Sequence, residues 1–416
     1  MTNSMPMVKL GRIARTISGV GFPHSFQGNG TGEIPFLKVS DLSLDENARG
    51  VREAKNWVGR STLSELGGRV SPAGSVVFPK VGAALLKNQR KVLLCEAAMD
   101  NNLMSVVPRV GDATFLMYAM TTIDMGEFSG SGPLPYVGES QVKDLWVPFP
   151  KVEEQRRIAG FLDAEVSCID RIMVNRTRQF DLLGERRRSR ISSMVWDLGD
   201  KFGFVPLKYL SLGVEQGWSP QCEDRQAEDG EWGVLRSNCV NGGFFDWQQH
   251  KALPGNVEPR LEYQVHSGDL LVSRASGSVD LIGSAAVVPQ INRKLLLCDK
   301  IYRISLNGSF SRAEFVSCVL TASHVRNLFK SRISGGEGMA NNLPISVVKD
   351  AQIPKAPLGY QDSFLVAMRE FRDYEKDISE SLRHQIKLLE ERKRALITAA
   401  VTGQIDVTTA RGADLS

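Results

Sequence analysis

Apolar residues recur at helical spacing in the stretch from Val147 to about Asp200. Successive apolar positions are mostly three, four or seven residues apart, and Arg176 and Arg187 interrupt the series. This spacing is typical of a helix that packs along another helix. A helix of roughly 45 residues is about 65 Å long at ~1.5 Å per residue, which is too long for one compact core. The pattern therefore predicts a long helix that needs a partner.

An internal repeat of this sequence supplies the partner helix. Residues 353–406 match the first stretch without a gap, so that Pro148 corresponds to Pro354 and Gln155 to Gln361. Proline, glutamine and Glu-Arg positions coincide as well as apolar ones, which indicates duplication rather than two helices that are alike by composition. The sequence thus predicts two long helices paired along one seam. The seam residues are Leu162, Val166, Ile169, Met173, Phe180, Leu183, Ile191, Met368, Ile378, Leu382, Ile386, Leu389 and Ile397.

The duplication extends over nearly the whole chain. The segment Val8–Pro23 is echoed by Val205–Pro220, where Leu10 corresponds to Leu207 and Ile17 to Val214. The predicted order is a variable domain, a long helix, a second variable domain and a second long helix. The corresponding boundaries are 1–147, 148–200, 201–353, 354–408 and a tail at 409–416.

Both variable domains have the mixed pattern of an α+β fold. Short apolar runs predict strands in corresponding order, and amphipathic segments predict a helix in each domain. The predicted strands are Ile34–Val39, Ser75–Phe78 and Lys91–Cys95, then Gly233–Arg236, Asp269–Arg274 and Lys294–Cys298; the predicted helices are Phe115–Thr122 and Ala313–Phe329. The shared Leu-Leu-Cys context of Cys95 and Cys298 predicts one repeated buried strand. The fold class is therefore two α+β domains related by an internal repeat and separated by a long two-helix coiled coil.

Composition narrows the class of protein. The chain has 416 residues, 42% of them hydrophobic, and a net charge of +4, which permits nucleic-acid binding through local basic patches. No apolar run approaches the ~18–20 residues of a membrane span, and the N-terminus lacks a signal pattern. The six cysteines are scattered without a C-x-x-C pair, which suggests a reducing cytoplasm.

Catalytic motifs are missing from the sequence. It contains no P-loop, no H-E-x-x-H and no G-x-S-x-G, and its five histidines are isolated. The E-x-K triplets Glu53–Lys55 and Glu391–Lys393 match a pattern of some metal-dependent nucleases, but such triplets are common by chance. The glycine-rich segments Ser129–Gly132 and Ser334–Gly338 suit either a hinge or a phosphate cradle, and a hinge is favoured.

The long repeats resemble the conserved helical regions of type I restriction–modification specificity subunits. The first copy carries PFPKVEEQRRIA at Pro148–Ala159 and LGERR at Leu183–Arg187. The second carries QIKLLEERKRALI at Gln385–Ile397 and AVTGQI at Ala400–Ile405. It departs from the usual Glu-Glu-Gln by reading Tyr-Gln-Asp, and the first copy ends in Val-Trp-Asp-Leu instead of Val-Thr-Gly.

This resemblance implies a non-catalytic subunit that reads double-stranded DNA. Two target-recognition domains would each read one half of a split site. The two long helices would form a long antiparallel two-helix coiled coil, which sets the spacing and docks two modification subunits. Those subunits would hold S-adenosylmethionine, and restriction subunits would use ATP and Mg²⁺; no cofactor is expected on this chain. A coiled-coil scaffold that binds only proteins is the alternative, and a self-sufficient nuclease or methyltransferase is disfavoured by the missing motifs.

Basic and amide side chains of the variable domains are the candidate DNA contacts, because such groups pair with base edges and phosphates. For any single one, a solvated surface charge is the simpler interpretation. The candidates are Lys38, Lys80, Lys87, Asn88, Gln89, Arg90 and Lys91 in the first domain, and Arg236, Asn238, Arg274, Arg293, Lys294 and Lys300 in the second. The clusters Arg186–Arg188 and Arg392–Arg394 suit either DNA phosphates or a partner protein.

Overall fold

The computed structural model describes residues 5–128, 134–333 and 341–407. The glycine-rich segments 129–132 and 334–338 lie outside these residues. The chain forms two compact units: unit 1 comprises Met1–Arg176 with His384–Ser416, and unit 2 comprises Thr177–Arg383. These units group the chain differently from the sequential domains predicted above, because each unit takes one part of both long helices.

Ten α-helices, besides seven short 3-10 helices, lie in the described part of the chain. The α-helices are α1 (Leu10–Ile13), α2 (Arg60–Glu65), α3 (Gly82–Leu86), α4 (Ala113–Thr121), α5 (Glu139–Asp144), α6 (Val152–Phe202), α7 (Ala313–Val319), α8 (Ser323–Arg332), α9 (Ile345–Lys349) and α10 (Leu358–Val401). The two predicted long helices are therefore confirmed as α6, with 51 residues, and α10, with 44. Acidic residues in the first turn of α6 favour its start, since they oppose the positive end of the helix dipole.

Short strands make up the rest of the regular structure. Unit 1 contains β1 (Met7–Lys9), β2 (Ala14–Ser18), β3 (Ile34–Leu37), β4 (Trp57–Val58), β5 (Val76–Pro79), β6 (Lys91–Val92), β7 (Ala98–Met99), β8 (Leu103–Pro108) and β9 (Trp146–Pro148). Unit 2 contains β10 (Phe204–Pro206), β11 (Ser211–Gln216), β12 (Trp232–Leu235), β13 (His250–Ala252), β14 (Leu270–Ser273), β15 (Ala275–Ser276), β16 (Ala285–Val287), β17 (Lys294–Leu296), β18 (Ile301–Leu306), β19 (Asn341–Asn342) and β20 (Gln352–Pro354).

Unit 1 is built in layers around its four-stranded sheet, β2-β8-β5-β6. Because side chains alternate across a strand, Val77 of β5 faces one core while Val76 and Phe78 face another. The core around Val77 includes residues of the three-stranded sheet β4-β3-β7, and the other contains α4. The start of α6 and the end of α10 also join the second core, so the long helices close one face of the sheet.

Unit 2 repeats this arrangement. Its four-stranded sheet has the order β11-β18-β14-β16 and its three-stranded sheet the order β13-β12-β17. The parallel pair β3–β7 corresponds to β12–β17, and the ladder β1–β9 corresponds to β10–β20. In the last ladder Met7 faces Pro148 while Phe204 faces Pro354, so the strands reproduce the sequence repeat. The predicted internal repeat of an α+β domain is confirmed.

The long helices pair in opposite directions within each unit. In unit 1 Leu162 of α6 shares a core with Ile397 near the end of α10, and Lys393 Nζ lies 2.7 Å from Asp170 Oδ1. In unit 2 Ile191 of α6 shares a core with Met368 near the start of α10. The beginning of one helix thus packs on the end of the other, which confirms the predicted antiparallel pair.

A buried glutamine ties each long helix to the α+β part of its unit. Gln155 Oε1 accepts a hydrogen bond from Asp112 N, and Gln361 Oε1 accepts one from Arg312 N. Asp112 and Arg312 immediately precede α4 and α7. The two glutamines therefore align α4 with α7 as well as α6 with α10.

One predicted helix is wrong as a single element. The segment Ala313–Phe329 is divided, because α7 ends at Val319 and α8 begins at Ser323. Ala322 has an extended backbone, and the N–H of Ser323 donates to Ser192 Oγ of α6 at 2.9 Å. The N–H of Ser323 thus bonds to α6 instead of to a carbonyl of its own helix. The apolar periodicity of the segment does not reveal this break.

The prediction that the two Leu-Leu-Cys segments form one repeated strand is also wrong. Lys91–Val92 pairs with β5 in the four-stranded sheet, whereas Lys294–Leu296 runs parallel to β12 in the three-stranded sheet. The counterpart of β17 is β7, since Ala98 and Leu296 occupy the corresponding register positions. The two segments are alike in composition although Lys91 and Val92 are half-buried while Leu295 and Leu296 are buried, so composition alone cannot assign them to a sheet.

Among the helices of residues 5–128, 134–333 and 341–407, none combines the length and apolarity needed to cross a membrane.

Candidate nucleic-acid interface

A basic hollow in unit 2 brings three of the predicted residues together. It is about 460 Å³ in volume and lies where β12 ends. Arg236, Asn238 and Lys300 line it, and all three are exposed. Lys251 of the neighbouring strand β13 adds a further cation. We call this site the unit 2 hollow; it offers guanidinium, amide and ammonium donors side by side.

One carboxylate moderates the charge of the unit 2 hollow. Asp224 Oδ1 lies 2.9 Å from Lys251 Nζ and 3.2 Å from Arg236 Nη2. The hydrogen bond from Lys251, and then the charges of Lys251 and Arg236, lower the pKa of Asp224. Asp224 is fully exposed, so these pairs are weak and a polyanion can compete for both cations.

The amide at this edge is oriented by its neighbours. Asn238 Nδ2 donates to Gln249 Oε1 at 2.6 Å, and Gln249 Nε2 donates to Asp246 Oδ2 at 3.0 Å. Ser219, which also lines the hollow, donates through its Oγ to Asp299 Oδ1 at 2.5 Å. Polar groups held in this way present fixed donors and acceptors, which direct reading of base edges requires.

Lys38 occupies the corresponding position in unit 1, immediately after β3. Its Nζ donates to Gln27 Oε1 at 2.6 Å and lies 5.5 Å from the centre of the Phe22 ring. Its backbone N–H donates to Asp41 Oδ2 at 2.7 Å, which holds the turn. The two units therefore place a cation at the same point of one framework but surround it with different side chains.

Two predicted residues of unit 1 lie below the surface. Arg90 is only 6% exposed, and its guanidinium lies 4.9 Å from the Phe78 ring. Burial lowers the pKa of Arg90 to about 10. Lys80 is 8% exposed, and burial likewise lowers its pKa although Glu139 and Asp100 raise it. Neither side chain reaches DNA without a local rearrangement.

The neighbouring predicted residues mainly hold loops. Asn88 Nδ2 donates to Thr121 O, Gln89 Nε2 to Leu42 O and Lys91 Nζ to Asn47 O. Burial lowers the pKa of Lys91. Lys87 is exposed and remains the accessible cation of this segment.

Of the remaining predicted residues of unit 2, some contact other parts of the protein and one is exposed. Arg274 Nη1 donates to Asp299 O at 3.2 Å. Arg293 lies 4.9 Å from the Trp247 ring and 2.5 Å from Asp229 Oδ1. Lys294 is exposed. Lys251 and Ser219 also line the unit 2 hollow and were missed, because the pairing that brings them there is not local. Ser237 lies between Arg236 and Asn238 and was missed because only basic and amide side chains were considered.

Seven of the thirteen predicted seam residues are buried and the other six are half-buried. The buried members are Leu162, Val166, Ile169, Ile191, Met368, Leu382 and Ile397, whereas Met173, Phe180, Leu183, Ile378, Ile386 and Leu389 are half-buried. Of the basic clusters, Arg186 lies over Phe371 and Lys393 pairs with Asp170. These contacts place part of both clusters within the helix pair.

The E-x-K triplets form no recognisable metal site. Glu53 and Lys55 line a shallow hollow together with Glu46 and Arg52. Across the residues whose structure is described, no three His, Cys, Asp or Glu side chains come together as metal ligands.

Comparison with known proteins points in one direction. No family model matches the chain. The specificity subunit of the type I restriction enzyme EcoEI of Escherichia coli is 29% identical over 163 residues, which are 39% of this chain and 27% of that protein. The EcoKI specificity subunit of E. coli strain K12 is 20% identical over 271 residues, 62% of this chain and 57% of that protein. The chain thus matches only 27% to 57% of the length of these relatives.

A solved structure shares the fold. A chain from a structure concerning complex assembly and conformational transition of the type I R-M system has a TM-score of 0.60 at 14% identity, covering 97% of this chain and 99% of that chain. Together, the relatives and this shared fold confirm the resemblance to type I restriction–modification specificity subunits.

Proposed function

We propose that this chain is the DNA-specificity subunit of a type I restriction–modification complex. The observation that carries the proposal is the repeated framework: both units have the same sheet orders, while the side chains at corresponding surface positions differ. Two copies of one scaffold with different exposed residues suit a protein that reads two different half-sites. Relatives named as specificity subunits support the same conclusion.

In this proposal each unit reads one half of a split DNA site. Arg236 and Asn238 in the unit 2 hollow are suited to base edges, because arginine pairs with guanine and asparagine with adenine in the major groove. Lys251 and Lys300 would bind phosphates, which orient the protein without selecting a sequence. Lys38 and Lys87 are the accessible cations proposed for unit 1.

The long helices would set the separation of the half-sites and dock the partner subunits. We propose two modification subunits, which would carry S-adenosylmethionine, and restriction subunits that use ATP and Mg²⁺. The role of this chain would be to select the sequence, and the chemistry would belong to the partners.

The direct test is a methylome. The full chain is expressed with its modification subunit in a host without other adenine methylation, and modified sites are mapped by sequencing. The expected result is one split motif with a constant gap. Methylation without any split motif would contradict the proposal. A chain that binds the modification subunit but has no salt-sensitive DNA affinity would favour the protein-scaffold alternative.

A second test addresses spacing. Four residues are inserted after Thr177 and four after the corresponding Arg383, so that both helices lengthen by ~6 Å, roughly two base-pair steps. The expected motif keeps both half-sites and gains about two unread base pairs. The control inserts the same residues between Gly255 and Asn256, an exposed loop of unit 2. Altered half-sites with an unchanged gap would refute the spacing role.

A further inference from the structure

Unit 2 contains a second cavity, which is distinct from the unit 2 hollow. It has a volume of about 880 Å³, which is within the ~300–1,000 Å³ range of small-molecule sites. Helices α6, α7 and α10 and the turn Gly242–Phe245 contribute to its walls. Its arginines, within the described residues, are Arg187, Arg188, Arg312, Arg326, Arg369 and Arg372.

The duplication provides an internal comparison for this cavity. The glutamine hydrogen bonds pair Asp112 with Arg312 and Gln155 with Gln361. Counting from these anchors, Tyr118 of unit 1 corresponds to Cys318 of unit 2.

In unit 1 the corresponding positions are filled. Tyr118 is 6% exposed, and its hydroxyl donates to Asp163 Oδ1 at 2.8 Å. Val166 packs in the same core. In unit 2, Asp163 is replaced by Arg369 and Val166 by Arg372. A buried tyrosine, a carboxylate and a valine have thus become a small thiol and two cations.

The arginines are unequally neutralised. Arg312 pairs with Asp362 at 3.1 Å, and Arg326 donates to the carbonyl oxygens of Ile282 and Asp280. Within the described part of the chain, by contrast, the guanidinium groups of Arg188 and Arg369 take part in no ion pair.

Arg372 has an unused donor at this site. Its Nε is buried and has no hydrogen-bond partner among the described residues. Its guanidinium lies 4.8 Å from the centre of the Phe244 ring, and Phe244 is 49% exposed. The cavity therefore combines arginine donors, which suit phosphate oxygens, with an accessible aromatic face.

We propose that the cavity is a binding site for a nucleotide, with phosphates on Arg369 and Arg372 and the base against Phe244. The apolar side chains of Leu281, Val287 and Leu365 line the same space and suit the ring system. This site goes beyond the proposed DNA reading, and its lining residues belong to unit 2. Where unit 1 has a tyrosine, a carboxylate and a valine, unit 2 has a cysteine and two arginines. These residues leave the space and supply the positive charge that a nucleotide needs.

The test measures binding of ADP to the full chain by isothermal titration calorimetry, with adenosine and inorganic pyrophosphate as separate ligands. Two variants remove the site in different ways. Arg369→Gln with Arg372→Gln removes the phosphate donors, and Cys318→Tyr with Arg369→Asp recreates the filling seen in unit 1. The control, Arg190→Gln with Arg332→Gln, removes two exposed arginines outside the cavity.

ADP is expected to bind the natural chain and the control equally, and to bind both cavity variants at least tenfold more weakly. Adenosine and pyrophosphate should each bind more weakly than ADP, because each lacks one half of the contacts. Failure of ADP to bind the natural chain would overturn the proposal, as would equal binding to the filled variant. Binding of a poly-glutamate peptide without ADP binding would instead identify a protein-docking surface and also overturn it. Circular dichroism shows whether each variant is folded. If the variant with Cys318→Tyr and Arg369→Asp does not fold, the variant with Arg369→Gln and Arg372→Gln tests the proposal by itself.

Discussion

The buried glutamine of α10 is expected to be a principal stabilising contact of unit 2. Gln361 is 1% exposed; its Oε1 accepts from Arg312 N at 2.9 Å, and its Nε2 donates to Phe310 O at 2.9 Å and Ala356 O at 2.7 Å. Replacement by leucine keeps a similar volume but leaves these three backbone groups without their partner. Each lost hydrogen bond costs about 1 kcal/mol, and each buried group left unsatisfied costs about 1–3 kcal/mol.

We therefore expect Gln361→Leu to lower the free energy of unfolding by about 3–5 kcal/mol. Gln155→Leu in unit 1 should cost less, about 2–4 kcal/mol, because Gln155 bonds only Asp112 N and Pro150 O in the described structure. The prediction therefore includes which of the two variants loses more stability, as well as the size of each loss.

Urea denaturation of the full chain, followed by far-ultraviolet circular dichroism, measures both effects. Hydrogen exchange then localises them, since Gln361→Leu should expose the amides at the start of α7 and Gln155→Leu those of α4. Gln290→Leu is the control, because Gln290 is exposed. A loss below about 1 kcal/mol for Gln361→Leu, or protection of α7 that does not change, would refute the reasoning.

Three further substitutions test other parts of the framework. Burial raises the pKa of Glu375 in the folded protein. The stability that protonated Glu375 contributes is therefore fully present below the ordinary pKa of a glutamate and is lost as the pH rises through the pKa of the folded state. Glu375→Gln should reduce the difference in the free energy of unfolding between pH 4 and pH 7, measured by urea denaturation. Gly217→Ala would place a Cβ 2.1 Å from a backbone oxygen and should lower stability by about 1–3 kcal/mol, whereas Gly255→Ala meets no atom within 4 Å and should not. Asp170→Asn breaks a half-exposed pair with Lys393 and should cost less than about 1 kcal/mol in the same assay; a larger loss would show that the pair is more strongly coupled than its exposure indicates.

The close approach at Gly217 has a counterpart in unit 1. A Cβ on Gly19 would lie 1.8 Å from the carbonyl oxygen of Asp100, and one on Gly217 would lie 2.1 Å from that of Leu297. In each unit the backbone next to the glycine also bonds the facing strand, through Val20 N to Met99 O and Trp218 N to Leu297 O. The chain crosses from one sheet to the other here, and a side chain would keep the two backbones apart.

The candidate DNA site could be predicted only in part. Arg236, Asn238 and Lys300 were expected as DNA contacts and meet in the unit 2 hollow. Arg90 was expected on the same grounds, yet it is buried against Phe78. Charge and residue type are local properties, whereas exposure depends on which elements cover a side chain.

The amino-acid sequence alone determined the architecture: two long helices, their pairing with each other and a duplicated α+β domain. These features are readable because helical periodicity and repetition are properties of the chain itself. Only the tertiary structure decided which strands share a sheet, where Ala313–Phe329 breaks, and that Tyr118 fills a space that Cys318 leaves open. Those outcomes depend on contacts between residues far apart in the chain, which compete with local preference and override it when a buried hydrogen bond or a side-chain volume is at stake.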